Sequence, residues 1–286
     1  MKFALGLAGL LLAATPVLAK KPPQPAPAAP LVPVASDWRA VDAENTVVIE
    51  TNKGVIYVEL APAAAPAASE RMKTLARAHF YDGLTFFRVI DDFMAQTGDP
   101  KNVGDGQSKE SNLAAEFTFR LGPNTGYTAV DWPEGAEGGF IGAFPVTSQP
   151  AAMSALTADG KVRAYGLFCS GVVGIARNDA PDSGNSQFFL MRQDHQSLNQ
   201  NYTPFGRVVV GEAVVRAIKA GEPVPAPQDV MSKVYVLADI PEAQRPKIRV
   251  IDTKSAYFHA LAKKTRDDVG EKFTPCDVEV AGELVK

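Results

Sequence analysis

Two apolar runs, separated by a short polar segment, open the regular part of the chain near residue 45. Residues 46–51 are rich in β-branched side chains, which favour strands, and residues 55–60 alternate between apolar and polar side chains. Residues 52–54 (Asn-Lys-Gly) between them have the composition of a tight turn. The pattern therefore predicts a β-hairpin at the start of the folded region.

Two later stretches show the spacing of three to four residues that is typical of a helix. The first is opened by residues 62–66, and Pro66 is tolerated near its first turn because the first N–H groups of a helix have no partner within it. This helix should end near His79, and the second should cover residues 213–220. The buried face of the first helix is predicted from four apolar residues: Ala68, Met72, Leu75 and Ala76.

Short apolar and β-branched runs recur along the rest of the chain and predict further strands. Many short strands with only two strong helices indicate a mainly β fold, an all-β barrel with helical plugs. A third helical stretch, residues 256–264, falls in a C-terminal extension, residues 254–286, that shows no recognisable chemistry. The further strands are predicted within residues 85–99, 116–119, 166–168, 172–176, 186–191, 205–210 and 247–252.

Residues 121–162 break this regular pattern. They are rich in glycine, proline and alanine and contain few periodic runs. We therefore predict a long loop insertion in the domain. Loops of this length are uncommon without a functional role, so the insertion is also a candidate for binding a partner.

The N-terminal residues have the features of an export signal. Lys2 is followed by an apolar run that ends near Ala14, and small residues precede a predicted cleavage after Ala19. A retained membrane anchor is the alternative, but the run is short for a bilayer span. The sequence predicts a signal peptide at 1–19, a Pro/Ala-rich linker at 20–45, and a periplasmic location.

Composition narrows the classes of function. With 46% hydrophobic residues the chain can bury a large core, and its net charge of -3 with intermixed signs makes nucleic acid an improbable partner. No second apolar stretch is long enough to cross a membrane. The two cysteines, Cys169 and Cys276, either form a disulfide in an oxidising compartment or remain buried thiols.

Several kinds of catalytic site are disfavoured. His79, His195 and His259 lie far apart without the spacing of metal ligands, so we expect no metal, and no phosphate-binding glycine loop occurs. Residues 184–186 (Gly-Asn-Ser) match half of a nucleophile elbow, but Phe188 replaces its second glycine. A serine hydrolase is therefore the most distant hypothesis.

Three short motifs together resemble a known family. Residues 86–99 read Phe-Phe-Arg-Val-Ile-x-x-Phe-Met-x-Gln-x-Gly-Asp, which resembles the first signature of the cyclophilins. Residues 186–189 (Ser-Gln-Phe-Phe) and 205–208 (Phe-Gly-Arg-Val) resemble the second and third, in the family's order. The resemblance implies a domain over about 46–253 with a closed eight-stranded antiparallel barrel capped by two helices. It also implies peptidyl-prolyl cis–trans isomerase activity without a cofactor.

The resemblance further implies which residues form the site. Arg88 would donate to the imide nitrogen of the twisted X-Pro bond; taken alone, it could instead form a structural ion pair with Asp91 or Asp92. Gln96 and Gln187 would hold Arg88 or the substrate backbone, and backbone groups near Arg177 and Asn178 would fix the peptide before the proline. The proline ring would enter an apolar pocket formed by Phe93, Met94, Phe189, Leu198 and Tyr202.

The motifs also depart from the family pattern. Phe87 replaces a histidine and Thr97 a glycine. Ser197 stands where a tryptophan accompanies strong cyclosporin binding, and Tyr202 stands where the pocket histidine is expected. We therefore expect isomerase activity with weak sensitivity to cyclosporin.

Two functions remain open from the sequence. The first is an isomerase that assists the folding of proline-containing, unfolded or nascent exported proteins. The second is a binding module for X-Pro peptides or a partner protein, in which the insertion supplies contacts through Trp132, Phe140 and Phe144; these side chains could equally cover the barrel's own surface.

Overall fold

The protein is described by a computed structural model that covers residues 31–130 and 136–285. The predicted signal peptide, the first part of the predicted linker and Trp132 lie outside the described residues. None of the helices within the described ranges combines the length and the apolar character that a bilayer crossing requires.

Sixteen strands and three α-helices occur in the described residues. The helices are α1 (Pro66–Arg77), α2 (Glu212–Ala217) and α3 (Ala256–Val269). The strands are β1 (Trp38–Ala40), β2 (Thr46–Thr51), β3 (Gly54–Leu60), β4 (Arg88–Val89), β5 (Met94–Thr97), β6 (Phe119–Leu121), β7 (Tyr127–Val130), β8 (Glu137–Ile141), β9 (Phe144–Ser148), β10 (Val162–Gly166), β11 (Val172–Ile175), β12 (Phe188–Met191), β13 (Thr203–Val210), β14 (Met231–Val236), β15 (Ile248–Ile251) and β16 (Gly282–Leu284).

Eight strands form one antiparallel sheet in the order β14-β2-β3-β13-β11-β12-β5-β4. The predicted hairpin is its β2–β3 pair, in which Val48 lies opposite Tyr57. One face of the sheet lines the largest apolar core, which we call the inner core; it includes fully buried Ile49, Phe188 and Phe205. The prediction of a mainly β fold is confirmed.

The sheet curls toward a barrel but has no continuous ladder between its edge strands, β4 and β14. Contact across this gap is made by an isolated bridge between Thr85 and Val230 and by the backbone N–H of Phe86, which donates to Asp229 at 3.0 Å. Because β4 has only two residues, it cannot pair along the whole length of β14. The predicted closed barrel is therefore not strictly closed: isolated bridges and single hydrogen bonds, not a ladder, connect its two edges.

Helix α1 packs on the sheet through the face that the sequence predicted. Ala68, Met72, Leu75 and Ala76 are all buried in the inner core. The carboxylate of Glu116 accepts hydrogen bonds from the backbone N–H groups of the first turn, so the helix start has a capping partner outside the helix.

The insertion is not a loop, which corrects the prediction. It contributes to a five-stranded antiparallel sheet in the order β6-β10-β9-β8-β7. The glycine content of these strands suggested a loop, but some of the glycines are required by close packing within the sheet. A Cβ on Gly139, for example, would lie 2.5 Å from the ring of Tyr127. Phe140 and Phe144 are buried, so they cover the protein's own surface and are not available to a partner.

A third sheet, in the order β1-β15-β16, joins the two ends of the domain. Strand β1 lies within the predicted linker, so folded structure begins earlier than the sequence indicated. Its three residues are too few to show a strand pattern, and pairing with β15 specifies them. Helix α3 also continues five residues beyond its predicted end at Lys264.

The third sheet, the insertion and α3 share a second apolar cluster, which we call the outer core. Phe140 of the insertion meets Phe258 of α3 edge to face, with ring centroids 5.3 Å apart. Cys169 and Cys276 form a disulfide across 107 residues of sequence, so the alternative of two thiols does not hold in this structure. The extension is thus attached to the main domain by packing and by a covalent bond.

Candidate active site

Three of the predicted site residues lie in one row across neighbouring strands. Arg88 of β4 is opposite Gln96 of β5, which is opposite Phe189 of β12. Residues directly opposite in an antiparallel sheet place their side chains on the same face. The adjacent row, which includes Val89 and Ala95, belongs to the inner core. The site row therefore lies on the outer face of the sheet.

The guanidinium of Arg88 has two side-chain partners. Its Nε donates to Oε1 of Glu222 at 2.5 Å, and its Nη1 donates to Oε1 of Gln96 at 3.4 Å. Arg88 does form an ion pair, but its partner is Glu222 and neither of the aspartates that the sequence suggested. Asp91 instead lies 2.9 Å from Arg192, and the backbone carbonyl of Asp92 contacts the His195 ring.

Gln96 continues a chain of hydrogen bonds along the row. Its Nε2 donates to Oε1 of Gln187 at 2.9 Å, and Gln187 donates to the carbonyl oxygens of Gly104 and Gly106 at 3.1 and 2.7 Å. Both glutamine side chains are thereby held in fixed positions next to Arg88.

The loop that carries these carbonyls is organised by Asp99. Burial alone would raise the pKa of the Asp99 carboxyl, but backbone N–H groups of the loop donate to it and together lower that pKa. Gly106 approaches so closely that a Cβ there would lie 1.9 Å from Oδ1 of Asp99. The loop therefore depends on a carboxylate at 99 and on the absence of a side chain at 106.

The predicted apolar pocket residues also come together. Met94, Phe189 and Leu198 are buried in one cluster, with Phe93 and Tyr202 packed against it. The rings of Phe189 and Tyr202 are perpendicular, with centroids 5.9 Å apart. An apolar and aromatic surface thus begins one position along the row from the Arg88–Gln96 pair.

Arg177 and Asn178 border the site from the loop after β11. The Arg177 guanidinium lies 4.5 Å from the ring centre of Tyr202, and its Nε donates to the carbonyl of Asn201 at 2.9 Å. The backbone N–H of Asn178 donates to Ser183 Oγ at 3.0 Å, so this group is engaged within its own loop. The predicted substrate contact at Asn178 would have to displace that hydrogen bond.

A cleft of about 300 Å³ opens beside this row. Its walls are formed by the Asp99 loop on one side and by the loop after β11 on the other. The lining includes Gln96, Gly104, Gly106, Arg177, Asn178 and Gln187.

Sequence and structure comparisons with known proteins agree on one family. The sequence model of the family described as "Cyclophilin type peptidyl-prolyl cis-trans isomerase/CLD" matches residues 46–237. A probable peptidyl-prolyl cis-trans isomerase of Brucella suis is 34% identical over 193 residues, which cover 64% of this chain and 75% of that protein. This chain belongs to the cyclophilin-type peptidyl-prolyl cis-trans isomerase family.

Other relatives extend the comparison. The peptidyl-prolyl cis-trans isomerase-like 1 of Mus musculus is 29% identical over 172 residues, covering 60% of this chain and 78% of that protein. The crystal structure of the cyclophilin AquaCyp293 from Hirschia baltica superimposes with a TM-score of 0.79 at 30% identity and covers 86% of this chain and 93% of that chain. The wide coverage of AquaCyp293 means that the similarity extends beyond the residues matched by the family model.

Neither departure in the first cyclophilin motif lies in the site row or lines the cleft. Phe87 is buried and contacts the region of Gly104, where a Cβ would lie 3.2 Å from its ring. Thr97 is fully buried, and its hydroxyl donates to the carbonyl of Thr85 at 2.8 Å. Both substitutions support local packing.

The hydrolase hypothesis has no geometric support. The Ser186 hydroxyl is buried and donates to the carbonyl of Gly98 at 2.9 Å, whereas His195 contacts Asp92. Among the described residues, no cluster of three or more potential ligands could hold a metal ion.

Sequence reasoning missed three residues of this cyclophilin's site. Phe168 stacks on Phe189 with centroids 5.7 Å apart, but its apolar run read as an ordinary strand. Gly174 lies opposite Phe189, and a Cβ there would come within 2.7 Å of both rings. Glu222 follows Arg88 by 134 residues and lies in a proline-rich segment that matches none of the three motifs.

Proposed function

We propose that this isomerase acts on X-Pro bonds of exported proteins in the bacterial periplasm and assists their folding. The observation that carries the catalytic part is the position of Arg88. Its guanidinium is held by Glu222 and by Gln96, and Gln96 lies directly opposite Phe189 on the next strand. A proline ring seated on that aromatic surface would bring its imide nitrogen toward a positive, pre-oriented donor.

The reaction needs such a donor and little else. The planar imide is protected by a barrier of about 18–20 kcal/mol because the nitrogen lone pair is delocalised into the carbonyl. Twisting the bond returns the lone pair to nitrogen, where a donor can bind it. A hydrogen bond that forms only in the twisted state lowers the barrier without stabilising either planar form.

The remaining site residues would bind two different parts of the substrate, the proline ring and the peptide that precedes it. Phe93, Met94, Phe189, Leu198 and Tyr202 present an apolar and aromatic surface of the kind that accepts a proline ring. The cleft lined by Gln187 and Asn178 would receive the peptide on the N-terminal side of the proline. With that side fixed, the bond can rotate by movement of the other side.

The test of this mechanism is the rate of isomerisation of a short Ala-Pro peptide. Arg88→Ala should lower kcat by about a hundredfold, which is the scale of removing one pre-organised donor. Arg88→Lys should recover only part of the loss because an ammonium lacks the planar arrangement of N–H groups. An unchanged rate in Arg88→Ala would contradict the mechanism.

Arg249→Ala is the matched control for that experiment. Its side chain is 37% exposed, compared with 36% for Arg88, and it also pairs through Nε with a glutamate, Glu283. It belongs to β15 in the third sheet, not to the site row. We expect its rate to equal that of the wild type.

Two observations support the proposed location. The N-terminal residues have the composition of an export signal. The Cys169–Cys276 disulfide is of a kind that persists in oxidising compartments such as the periplasm. Intact mass of the protein from an osmotic-shock fraction should correspond to a chain that begins at Lys20; an unprocessed, cytoplasmic protein would contradict this part of the proposal.

We also propose weak sensitivity to cyclosporin, because Ser197 offers no ring at the position associated with strong binding. The measurement is inhibition of the Ala-Pro peptide assay. Sub-micromolar inhibition would contradict the expectation. A separate binding function of the insertion has less support, since Phe140 and Phe144 are buried.

A further inference from the structure

We propose that Glu222 is a positioning residue that sets the orientation of the Arg88 guanidinium for the reaction. This inference rests on the proposed role of Arg88 as the donor. It assigns a function to a residue outside the three sequence motifs, in the segment between α2 and β14.

Arg88 needs such a partner because of where it lies. It is carried by a two-residue edge strand, and its side chain is 36% exposed. A half-exposed arginine has many accessible rotamers, and catalysis by orientation requires one of them. The contact with Gln96, at 3.4 Å, is too long to fix the group alone.

The contact with Glu222 is short and leaves the useful donors free. It occupies the Nε–H of Arg88 at 2.5 Å. An arginine has five N–H donors, and the two contacts with Glu222 and Gln96 use only two of them. The unused hydrogens are on the terminal nitrogens, which are the ones that can extend toward a bound imide nitrogen.

Glu222 is itself held against the strand that carries Arg88. Gly221 and Val89 exchange two backbone hydrogen bonds of 2.8 Å, and the N–H of Val224 donates to the carbonyl of Phe87 at 2.9 Å. The backbone is thus fixed on both sides of Glu222, at Phe87 and at Val89, and Arg88 lies between these two attachment points. The backbone positions of Glu222 and Arg88 are therefore fixed relative to each other, even though both side chains reach solvent.

The carboxylate of Glu222 has no second side-chain partner within the described residues, so its contact with Arg88 is not part of a larger ion-pair network. Its exposure of 56% also limits how far it can cancel the positive charge of Arg88, because solvent screens the pair. The directional hydrogen bond is then the main effect, and a neutral acceptor of the same length should replace it.

Two conservative variants separate the hydrogen bond from the charge. Glu222→Gln keeps an acceptor oxygen at the same reach and removes the charge, whereas Glu222→Asp keeps the charge and withdraws the oxygen by one methylene. Kinetics on a short Ala-Pro peptide should show kcat reduced about tenfold in Glu222→Asp and Glu222→Ala, and about twofold or less in Glu222→Gln. KM should change little in all three.

A spectroscopic readout reports the orientation directly. The ¹⁵N–¹H signal of the Arg88 Nε–H, assigned through its loss in Arg88→Ala, should shift and broaden in Glu222→Asp and Glu222→Ala and persist in Glu222→Gln. Glu283→Asp is the matched control, because Glu283 accepts from the Nε of Arg249 at 2.7 Å. It should leave both kcat and the Arg88 signal unchanged.

Each outcome decides the proposal. A kcat in Glu222→Asp that equals or exceeds that of the wild type would overturn it, and a loss confined to Glu222→Gln would assign the effect to charge. An equal loss in Glu222→Gln and Glu222→Asp would also overturn it, because a neutral acceptor of the same length would then fail to replace the carboxylate. If Arg88→Ala itself retains the wild-type rate, the proposed mechanism fails first. If only Arg88→Ala loses activity, the mechanism stands and the role of Glu222 is refuted.

Discussion

The inner and outer cores of this protein are stabilised in different ways. The inner core fills one continuous curled sheet, and each of its strands has at least one neighbour in that sheet. The outer core joins three segments that are distant in sequence: strand β1, the insertion, and the extension that contains α3. A disulfide supplements its packing.

The two regions also have different relations to the site. The site row is the outer face of the same strands whose opposite face forms the inner core. The outer core adjoins the site through the insertion, whose Phe140 lies in the outer core while its Phe144 lies in the pocket cluster. The disulfide links the same pocket cluster to the C-terminal extension. We infer that catalysis depends on the inner core directly and on the outer core indirectly, through the insertion and the disulfide, and this difference can be tested.

The largest expected effect is loss of the disulfide. In the chain-entropy model a bridge that closes a loop of this length contributes about 4–5 kcal/mol to the free energy of unfolding. Denaturant unfolding of the wild type against the double variant Cys169→Ser, Cys276→Ser measures it. Hydrogen exchange should show the loss of protection mainly in β1, α3 and β16; equal loss in β2 and β3 would contradict the separation of the two cores.

A pair of aromatic truncations compares the cores directly. Phe188→Ala in the inner core and Phe258→Ala in the outer core each remove a fully buried ring, and each should cost about 3–5 kcal/mol. Only the first should abolish isomerase activity at a temperature where both variants retain helical structure by circular dichroism. Equal losses of activity would show that the outer core supports the site more closely than we infer.

The Asp99 loop is expected to have a smaller effect, confined to the site. Asp99→Asn removes the charge that accepts the loop's backbone N–H groups, and should cost about 2 kcal/mol. The peptide KM should rise, because the loop forms one wall of the cleft. Gly106→Ala is the companion variant, since its Cβ would collide with Asp99; a normal KM in both would contradict the role of the loop.

The same carboxyl gives the smallest effect, a dependence of stability on pH. Because the folded-state pKa of Asp99 is lowered, its stabilisation is fully present above the ordinary pKa of about 3.8 and is lost as pH falls through the lowered folded value. The stability gap between the wild type and Asp99→Asn should therefore narrow below about pH 4. A gap that stays constant from pH 7 to pH 3 would contradict this assignment.

Many elements around the inner core could be predicted because patterns among residues close in sequence specify them. The β2–β3 hairpin follows from alternation and a turn, and the buried face of α1 follows from the spacing of Met72 and Leu75. The motif around Arg88 indicated the family, and the structure places two of its residues, Arg88 and Gln96, in one row with Phe189. Their individual roles remain predictions until the variants are measured.

The outer region could not be predicted in the same way. Strand β1 has three residues, and its strand conformation is specified by pairing with β15, more than 200 residues later in the sequence. In the insertion, glycines such as Gly139 are present because a ring occupies the space of a side chain. Composition therefore indicated a loop where close packing produced a sheet.

The sequence by itself determined the family, the mainly β architecture and the identity of the residues in the site row, because each depends on short motifs or on local periodicity. Only the tertiary structure decided what holds Arg88. The sequence offered Asp91 and Asp92 as its neighbours, yet the partner is Glu222, separated by 134 residues. The physical reason is that β4 and the segment at Gly221 meet where the curled sheet approaches closure, and adjacency created by such curvature leaves no pattern along the chain.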